Sequence, residues 1–350
     1  MTDVSTHPDA GEPAPNISIV AIGRNEGDRL IRCLKSIREA GYPQECLEII
    51  YVDTASTDGS DVRAAEIADR VLRINPERPC AAAARNAGWR IARHPLVQFL
   101  DGDTVLDRTW LTRAADELRD PKLVSVYGRR AEVEPHRDLL TYWTHLDWRM
   151  PVGKTFICGG DVMFRRSVLE ELNGYDETLI AGEEPDLCFR LTRAGLGEIL
   201  SLDALMTTHD IGDFGFAQYW KRSVRTGHAY AEVAWRHRGS GHRFWLRQNL
   251  RIPVPTVLLL AAIIAALMLR NIWPVVAWAV LIFLQYLRAL AGEMRRGDAF
   301  PWAARAALRF FVGKPPQFVG QLLFAYRHVT GRGRGRLMEY KAPARESNGA

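Results

Sequence analysis

Short apolar runs alternate with helical segments through the first hundred residues, and this alternation restricts the possible folds more than any other feature of the chain. The apolar runs predict strands at residues 17–22, 47–52, 71–74 and 96–100. Helical spacing or a high alanine content predicts helices at residues 26–40, 60–68 and 79–94. Strands that alternate with helices are typical of a doubly wound, mostly parallel sheet, so we expect an α/β domain.

Aspartates follow two of these strands at the points where the strands end. Asp53 ends the second predicted strand, and Asp101 and Asp103 follow the fourth in the segment FLDGDT. Ligands of doubly wound sheets bind at the carboxyl ends of the strands, where a carboxylate also avoids the cost of burial. Paired aspartates are hard oxygen ligands that suit Mg²⁺ or Mn²⁺, and these ions bridge phosphate oxygens. The sequence therefore predicts a metal and phosphate site at this rim, with a solvated Asp-Gly turn as the alternative.

Four segments of the front part occur in an order that is typical of one enzyme family. They are SIVAIGRNEGDRLIRCLKSI, IIYVDTASTDGS, ARNAGWRIA and FLDGDTVLD. The sequence has neither a P-loop nor the glycine-rich fingerprint of dinucleotide-binding folds, which disfavours both of those classes. The four segments resemble the family 2 glycosyltransferases, and the resemblance covers roughly residues 17–235. It implies a nucleotide-sugar-dependent enzyme with the GT-A fold, which is Rossmann-like.

The resemblance also implies which residues bind the donor. Asp53 would contact the base or ribose of the nucleotide, and Asp101 and Asp103 would form the D-x-D that holds the metal and the diphosphate. Many family members have two aspartates where this chain has Asp53-Thr54, which leaves the base open. The residues implied to bind the nucleotide sugar are Asp53, Arg85, Asp101, Gly160 and Asp161. For Arg85, an ordinary arginine on a helix surface is the alternative.

Three acids lie in the first turn of a helix predicted to begin near Gly182, and we take Glu183, Glu184 and Asp186 as the candidate catalytic residues. Pro185 is tolerated in a first turn and biases Glu184 out of the helix, towards the positive end of the dipole, which would keep it ionised. An ionised carboxylate suits a general base that takes a proton from an acceptor hydroxyl. The alternative is that all three are ordinary first-turn acids. The family's E-D-x-[DE]-L motif implies that Glu184 is the base, and Glu183 stays open as the other candidate.

A histidine and a basic segment follow this helix. His209 is a third candidate metal ligand, because GT-A enzymes often bring a histidine from this region to the metal; a packed histidine is the alternative. Residues 218–230 resemble a degenerate Q-x-x-R-W element that lacks its Arg-Trp pair, which argues against a processive polymerase. Lys221, Arg222 and Arg225 could face the diphosphate or lipid headgroups, or form a solvated helix face.

Charge is distributed unevenly along the chain. Residues 1–218 hold 25 Lys and Arg against 36 Asp and Glu, whereas residues 219–350 hold 21 against 5. The balance is therefore −11 in the front part and +16 in the rear part. The acidic front part argues against nucleic acid as a partner, and for metals or cation-bridged anions. We attribute the basic rear part to a membrane surface.

Two apolar segments of the rear part predict a membrane anchor. Residues 252–269 are 18 residues without a charge, and residues 272–287 are 16 more. Crossing a bilayer takes roughly 20 residues, so the first segment is long enough and the second is marginal. The arginines that flank the two outer ends are Arg243, Arg247, Arg251, Arg288, Arg295 and Arg296. By the positive-inside tendency these ends lie in the cytoplasm. Helices buried in a protein core are the alternative.

We expect five parts along the chain. These are a disordered leader (1–16), a GT-A domain (17–235), a basic linker (236–251), a transmembrane or re-entrant helical hairpin (252–291), and basic amphipathic interfacial helices with a tail (292–350). A membrane-associated helical region thus follows the α/β domain.

The function we expect is that of an inverting glycosyltransferase that uses Mg²⁺ or Mn²⁺. It would move a sugar from a nucleotide-diphosphate sugar to a hydroxyl of a saccharide or lipid-linked acceptor. The catalytic domain would face the cytoplasm at the inner membrane and contact membrane lipids. Inversion follows from the family resemblance alone. The alternatives are a polyprenyl-phosphate sugar synthase, whose acceptor phosphate needs no base, and a non-catalytic membrane scaffold.

Overall fold

The computed structural model describes residues 13–212, 214–241 and 245–332. The first twelve residues of the predicted leader, Arg243 of the predicted basic linker and the tail beyond residue 332 lie outside the described residues.

Nine strands form one sheet. They are β1 (Ile17–Gly23), β2 (Leu47–Thr54), β3 (Arg70–Ile74), β4 (Leu96–Asp101), β5 (Thr104–Leu106), β6 (Leu123–Glu132), β7 (Gly153–Thr155), β8 (Val162–Arg165) and β9 (Glu198–His209). The four strands predicted in the first hundred residues are confirmed, and each is one to two residues longer than its apolar run.

The helices of the front part connect these strands, and those of the rear part follow them. They are α1 (Asp28–Arg38), α2 (Ser60–Ala64), α3 (Ala81–Ile91), α4 (Trp110–Glu117), α5 (Leu139–Asp147), α6 (Arg166–Glu171), α7 (Glu183–Ala194), α8 (Phe216–Arg236), α9 (Leu246–Arg251), α10 (Val254–Leu269), α11 (Trp273–Arg295), α12 (Phe300–Val312) and α13 (Lys314–Thr330). A short 3₁₀ turn covers Gln44–Cys46.

The sheet has the order β3-β2-β1-β4-β8-β6-β9-β5, and β7 pairs with β9. Strands β3, β2, β1 and β4 are parallel, as predicted, and β1 and β2 are buried along nearly their whole length. This burial agrees with their continuous apolar runs, which are typical of parallel strands covered on both faces. The rest of the sheet is mixed, because β8 runs antiparallel to both β4 and β6 while β6 and β9 are parallel. The α/β fold is thus confirmed, with a mixed second half in place of a mostly parallel sheet.

The main core lies between this sheet and the helices of the front part. It includes Leu34 of α1, Trp89 of α3, Trp110 of α4 and Leu187 of α7, all of them buried against strand residues. Each of these helices therefore has a fixed position relative to the carboxyl ends of the strands.

Two helices of the rear part pack against the front part. Tyr142 and Trp143 of α5, Tyr219 of α8 and Ala306 of α12 form a second buried cluster, and the Trp143 indole donates a hydrogen bond to the Arg305 carbonyl at 2.7 Å. Helix α13 lies along α8. The region predicted as interfacial helices is therefore partly packed on the α/β domain.

Protein hardly covers helices α10 and α11. No residue of α10 is buried, and the only buried residue of α11 is Glu293. Two helical stretches, Leu246–Leu269 and Trp273–Arg295, are long and apolar enough to cross a membrane. Their exposure disfavours the core-helix alternative, because buried core helices are covered by protein.

Candidate active site

A cleft of about 1430 Å³ opens at the carboxyl ends of the parallel strands. Its walls include Asp101 and Asp103 from the donor side, and Glu183 and Glu184 from the acceptor side. The sequence predicted these two halves from segments some eighty residues apart, and the fold brings them to one cavity. The cleft continues along α8 to Trp245, directly before α9.

Arg85 of α3 connects the two halves of the cleft. Its Nη1 donates to Glu184 Oε1 at 2.9 Å and to Glu183 Oε1 at 3.3 Å, and its Nη2 donates to Asp101 Oδ1 at 3.0 Å. The side chain is almost wholly buried, which makes these charge-assisted bonds stronger than they would be in water. Gly160 allows this arrangement, because a Cβ atom at that position would lie 2.3 Å from Arg85 Nη2.

A second arginine, Arg130 at the end of β6, lies among the aspartates of the donor side. Its Nη1 donates to Asp101 Oδ2 at 3.1 Å and lies 3.7 Å from Asp161 Oδ2, and its Nη2 lies 3.7 Å from Asp103 Oδ1. The guanidinium stacks over the ring of Trp148 at 4.7 Å. Three carboxylates therefore share one cation.

Asp161 supports the D-x-D segment from the neighbouring strand. Its Oδ1 accepts a hydrogen bond from the backbone N–H of Asp101 at 2.9 Å, and its Oδ2 accepts one from the Thr207 hydroxyl at 2.7 Å. Burial raises the pKa of Asp161, although Arg130 opposes the shift. In this arrangement Asp161 fixes the backbone of Asp101.

His209, at the end of β9, is held between two acids. Its Nε2 lies 3.1 Å from Asp103 Oδ2 and its Nδ1 lies 3.1 Å from Glu132 Oε2. Burial alone would lower the pKa of His209, but the two carboxylates outweigh it and raise the pKa. The structure thus brings His209 to Asp103, as the predicted metal site requires.

The donor types at this rim suit a hard divalent cation, because carboxylate oxygens and an imidazole are ligands of Mg²⁺ and Mn²⁺. Within the described residues, however, no group of three or more such side chains converges closely enough to hold an ion. Arg130 stands where the carboxylates of Asp101, Asp103 and Asp161 approach each other. The donor types of the site therefore fit a metal, which Asp101, Asp103 and His209 would hold.

The environment of Glu184 differs from what the sequence predicted. Helix α7 begins at Glu183, after Gly182 in the left-handed conformation, so Glu184 lies within the first turn. Burial and the neighbouring Glu183 raise the pKa of Glu184 to about 7, against the opposing effect of Arg85. The helix dipole predicted an ionised side chain, but desolvation is the larger effect. A carboxylate with this pKa is well matched to a general base near neutral pH.

Two predicted site residues lie outside the cleft lining. Asp53 is fully buried at the end of β2, where it accepts hydrogen bonds from the Tyr51 hydroxyl at 3.0 Å and the Ser56 N–H at 2.9 Å. Asp186 is buried on another face of α7, where Arg190 Nε lies 2.8 Å and His237 Nε2 2.7 Å from its carboxylate. In this conformation both carboxylates stabilise the neighbouring backbone and side chains through these contacts.

The basic residues of α8 divide between the cleft and solvent. Arg222 and Arg225 line the cleft, whereas Lys221 is exposed outside its lining. The arginine side chains thus extend the positive charge of the cleft along α8.

Sequence reasoning missed Arg130, Glu132 and Trp148. The first two lie at the end of β6, a strand that was not predicted. Its apolar run at residues 123–127 was the available signal, because side chains at the end of a strand were already expected to form the site. Trp148 follows α5 and carries no comparable signal.

Comparisons with known proteins agree with this architecture. Residues 18–172 match the family described as Glycosyl transferase family 2. A pre-mycofactocin glycosyltransferase of Mycobacterium tuberculosis is 27% identical over 202 residues, which are 54% of this chain and 41% of that protein. The glycosyltransferase AglE of Haloferax volcanii is 24% identical over 228 residues, which are 63% of this chain and 74% of that protein. The chain thus spans less than half of the mycobacterial relative.

Among solved structures, the mannosyltransferase PcManGT of Pyrobaculum calidifontis, in complex with GDP-Man and Mn²⁺, superimposes with a TM-score of 0.57 and 21% identity. The match covers 91% of this chain and 88% of that one. This likeness shows a shared fold. Residues 18–172 of this chain thus match the glycosyltransferase family 2 model, and the fold shared with PcManGT agrees with that match.

Proposed function

We propose that this chain transfers a sugar from a nucleotide-diphosphate sugar to a hydroxyl of a saccharide or lipid-linked acceptor, with inversion at the anomeric carbon. The observation that carries the proposal is the position of Arg85, which contacts Asp101 on the donor side and Glu184 on the acceptor side of one cleft. The two groups needed for a displacement thus face the same cavity.

Glu184 is the base in this proposal. Its carboxylate takes the proton of the acceptor hydroxyl while the acceptor oxygen forms a bond to the anomeric carbon. The bond from that carbon to the diphosphate oxygen breaks, and its electron pair leaves with the nucleoside diphosphate. Arg85 orients Glu184 and offers positive charge to the donor side of the cleft.

Asp101, Asp103 and His209 would hold the metal, Mg²⁺ or Mn²⁺. Bound there, the ion would neutralise the charge that develops on the departing diphosphate. The Mn²⁺ and GDP-Man in the PcManGT structure support both the metal and the donor class for a chain of this fold. Asp161 supports the same site by fixing the backbone of Asp101.

The exposed helices α10 and α11 support a membrane hairpin. Helix α8 precedes them, and α12 and α13 follow them, yet all three pack on the same catalytic domain. The apolar segment must therefore cross the bilayer an even number of times, because a single crossing would separate α8 from α13. We propose two crossings, with the catalytic domain on the cytoplasmic side of the inner membrane and lipids as its partner.

The cleft also reaches the start of this hairpin. Trp245 lines it and directly precedes α9, and Arg222 and Arg225 of α8 line the same cleft. A cleft that reaches the segment leading into the membrane helices favours an acceptor presented by a lipid.

Turnover of a panel of nucleotide sugars by membranes that contain the protein tests the proposal. The readout is released nucleoside diphosphate together with incorporation of labelled sugar into the lipid fraction. We expect one donor to be used, and we expect the Glu184→Gln variant to lose turnover. Full turnover by that variant would instead favour the synthase whose acceptor is a lipid phosphate. Membranes that turn over no donor would overturn the proposed activity.

A further inference from the structure

The carboxylates of the donor site are already neutralised by a side chain of the same domain. Arg130 lies 3.1 Å from Asp101, 3.7 Å from Asp103 and 3.7 Å from Asp161, measured from its guanidinium nitrogens to the nearest carboxylate oxygens. Its side chain is only 15% exposed, and those of Asp103 and Asp161 are nearly inaccessible. Acids this close would repel each other strongly without a cation between them.

Of the two neighbouring arginines on β6, Arg130 alone contacts the aspartates of the cleft. The preceding Arg129 lies on the same strand, is 62% exposed and pairs at 3.0 Å with Asp203 at the surface. Arg130 instead points into the cleft and stacks on Trp148, which also contacts His209 edge to face at 4.7 Å. The two arginines therefore differ in surroundings while sharing charge, length and strand.

A divalent ion and the guanidinium cannot both occupy the space between these carboxylates. An ion bound to Asp101 and Asp103 compensates the negative charge that attracts Arg130 in this structure. The ion also repels the guanidinium, because both are positively charged and close together. The diphosphate of the donor is the nearest anion that the proposed reaction brings into the cleft.

We propose that Arg130 is the cation that Asp101, Asp103 and Asp161 hold before a divalent ion binds, and that it moves onto the donor diphosphate when the ion arrives. Binding of the ion alone is then weak, because it must displace an arginine from the three carboxylates that hold it. Binding of the ion together with a nucleoside diphosphate is strong. The inference rests on the metal site of the proposed function and adds the order in which its charges are exchanged.

Binding of Mn²⁺ to the full-length protein in detergent tests this inference without any turnover. The electron paramagnetic resonance signal of free Mn²⁺ measures binding with Mn²⁺ alone, and again with GDP or UDP after correction for binding to the nucleotide. We expect Arg130→Met to bind Mn²⁺ alone at least about tenfold more tightly than the wild type, since a like charge has been removed. The matched variant Arg129→Met should bind as the wild type does.

Two further variants make the result unambiguous. Arg130→Lys keeps the charge and should bind Mn²⁺ alone as weakly as the wild type. The double variant Arg130→Met/Asp103→Ala should lose the gain, which would locate the ion at this site. If far-UV circular dichroism shows that Arg130→Met does not fold, Arg130→Gln replaces it and should likewise bind Mn²⁺ alone more tightly than the wild type.

The outcomes separate this inference from the proposed function. If the neutral variant binds Mn²⁺ alone no more tightly than the wild type, or Arg130→Lys gains as much as Arg130→Met, the role of Arg130 is overturned while the metal site stands. If the wild type and the neutral variant both fail to bind Mn²⁺ with either nucleotide present, the metal site of the proposed function fails, and this inference fails with it.

Discussion

Arg85 and Glu184 form an ion pair at 2.9 Å within the cleft, although they lie 99 residues apart in the chain. The other terminal nitrogen of the same guanidinium binds Asp101 at 3.0 Å. A shift of the donor aspartate is therefore transmitted to the candidate base through one rigid, planar group. We expect donor binding and the orientation of Glu184 to be coupled for this reason.

Glu184→Gln should lower turnover by ~10²–10⁴, the usual contribution of acid–base catalysis, because glutamine cannot accept the proton. Donor affinity should change little. Steady-state kinetics with the accepted donor measure both quantities, and Glu183→Gln is the matched control on the same helix turn. A loss in Glu183→Gln that is absent from Glu184→Gln would assign the base to Glu183.

Turnover should rise as the pH passes through about 7, where Glu184 loses its proton. Turnover rises with pH because a general base accepts a proton only when it is deprotonated. Burial and the neighbouring Glu183 raise the pKa of Glu184, Arg85 lowers it, and Asp101 raises it by a smaller amount. A profile of kcat/KM from pH 5.5 to 8.5 measures the rise. A wild-type profile that is flat from pH 5.5 to 8.5 contradicts the assignment.

Asp103→Ala should lower metal-dependent transfer by about 100-fold or more, because the ion contributes several kcal/mol of charge stabilisation in such displacements. The variant also removes a hydrogen-bond partner of His209, so thermal unfolding should be recorded beside activity. Asp107→Ala, an acid just beyond β5 that caps its own turn at Thr109, serves as the control. Activity of Asp103→Ala equal to that of the wild type would exclude this residue from the metal site.

The hairpin formed by α10 and α11 should place its tip outside the inner membrane and both of its ends in the cytoplasm. Asn271→Cys should therefore react with a membrane-impermeant thiol reagent in intact cells, and Gly297→Cys only after lysis. The native cysteines give the background, which the unsubstituted protein measures. If position 271 reacts only after lysis, the pair of helices is re-entrant or interfacial.

Gly320→Ala should destabilise the protein by about 1–3 kcal/mol, the usual cost of forcing an atom into a packed interface. A Cβ at this position would lie 2.0 Å from the Val224 carbonyl oxygen and 2.7 Å from the His228 amide, both backbone atoms of α8. Gly292→Ala, in α11 with open space around it, is the matched helical control. Thermal unfolding in detergent measures the difference, and equal midpoints for the two variants would contradict the packing described.

The sequence predicts the parallel half of the sheet well, because buried parallel strands are continuous apolar runs. Strand β9 shows the limit of that signal. It continues to His209 through Asp203, Thr207 and Thr208, which are polar, and its last residues become strand by pairing with β5 and β6. Because β5 and β6 are distant in the sequence, the residues of β9 give no local signal of this pairing.

The sequence predicted several residues of the candidate site, but it did not predict the contacts between them. Asp101, Asp103 and Glu184 follow from strand ends, motif spacing and the family resemblance. That Arg130 would stand between the aspartates does not follow, because it depends on the place of β6 in the sheet. The raised pKa of Glu184 depends in the same way on burial that only the folded cleft supplies.

The contact between α8 and α13 has a consequence for how the enzyme would search for its acceptor. Gly227 and Gly320 let the two backbones approach closely, so a helix before the apolar hairpin and a helix after it are fixed to each other. A domain on a flexible tether samples a volume set by the length of its linker. In the proposed membrane topology, a domain fixed to helices on both sides of its anchor would instead keep its cleft at one height and one tilt above the bilayer. Acceptors would then have to carry their hydroxyl at that height, and they would arrive by lateral diffusion in two dimensions.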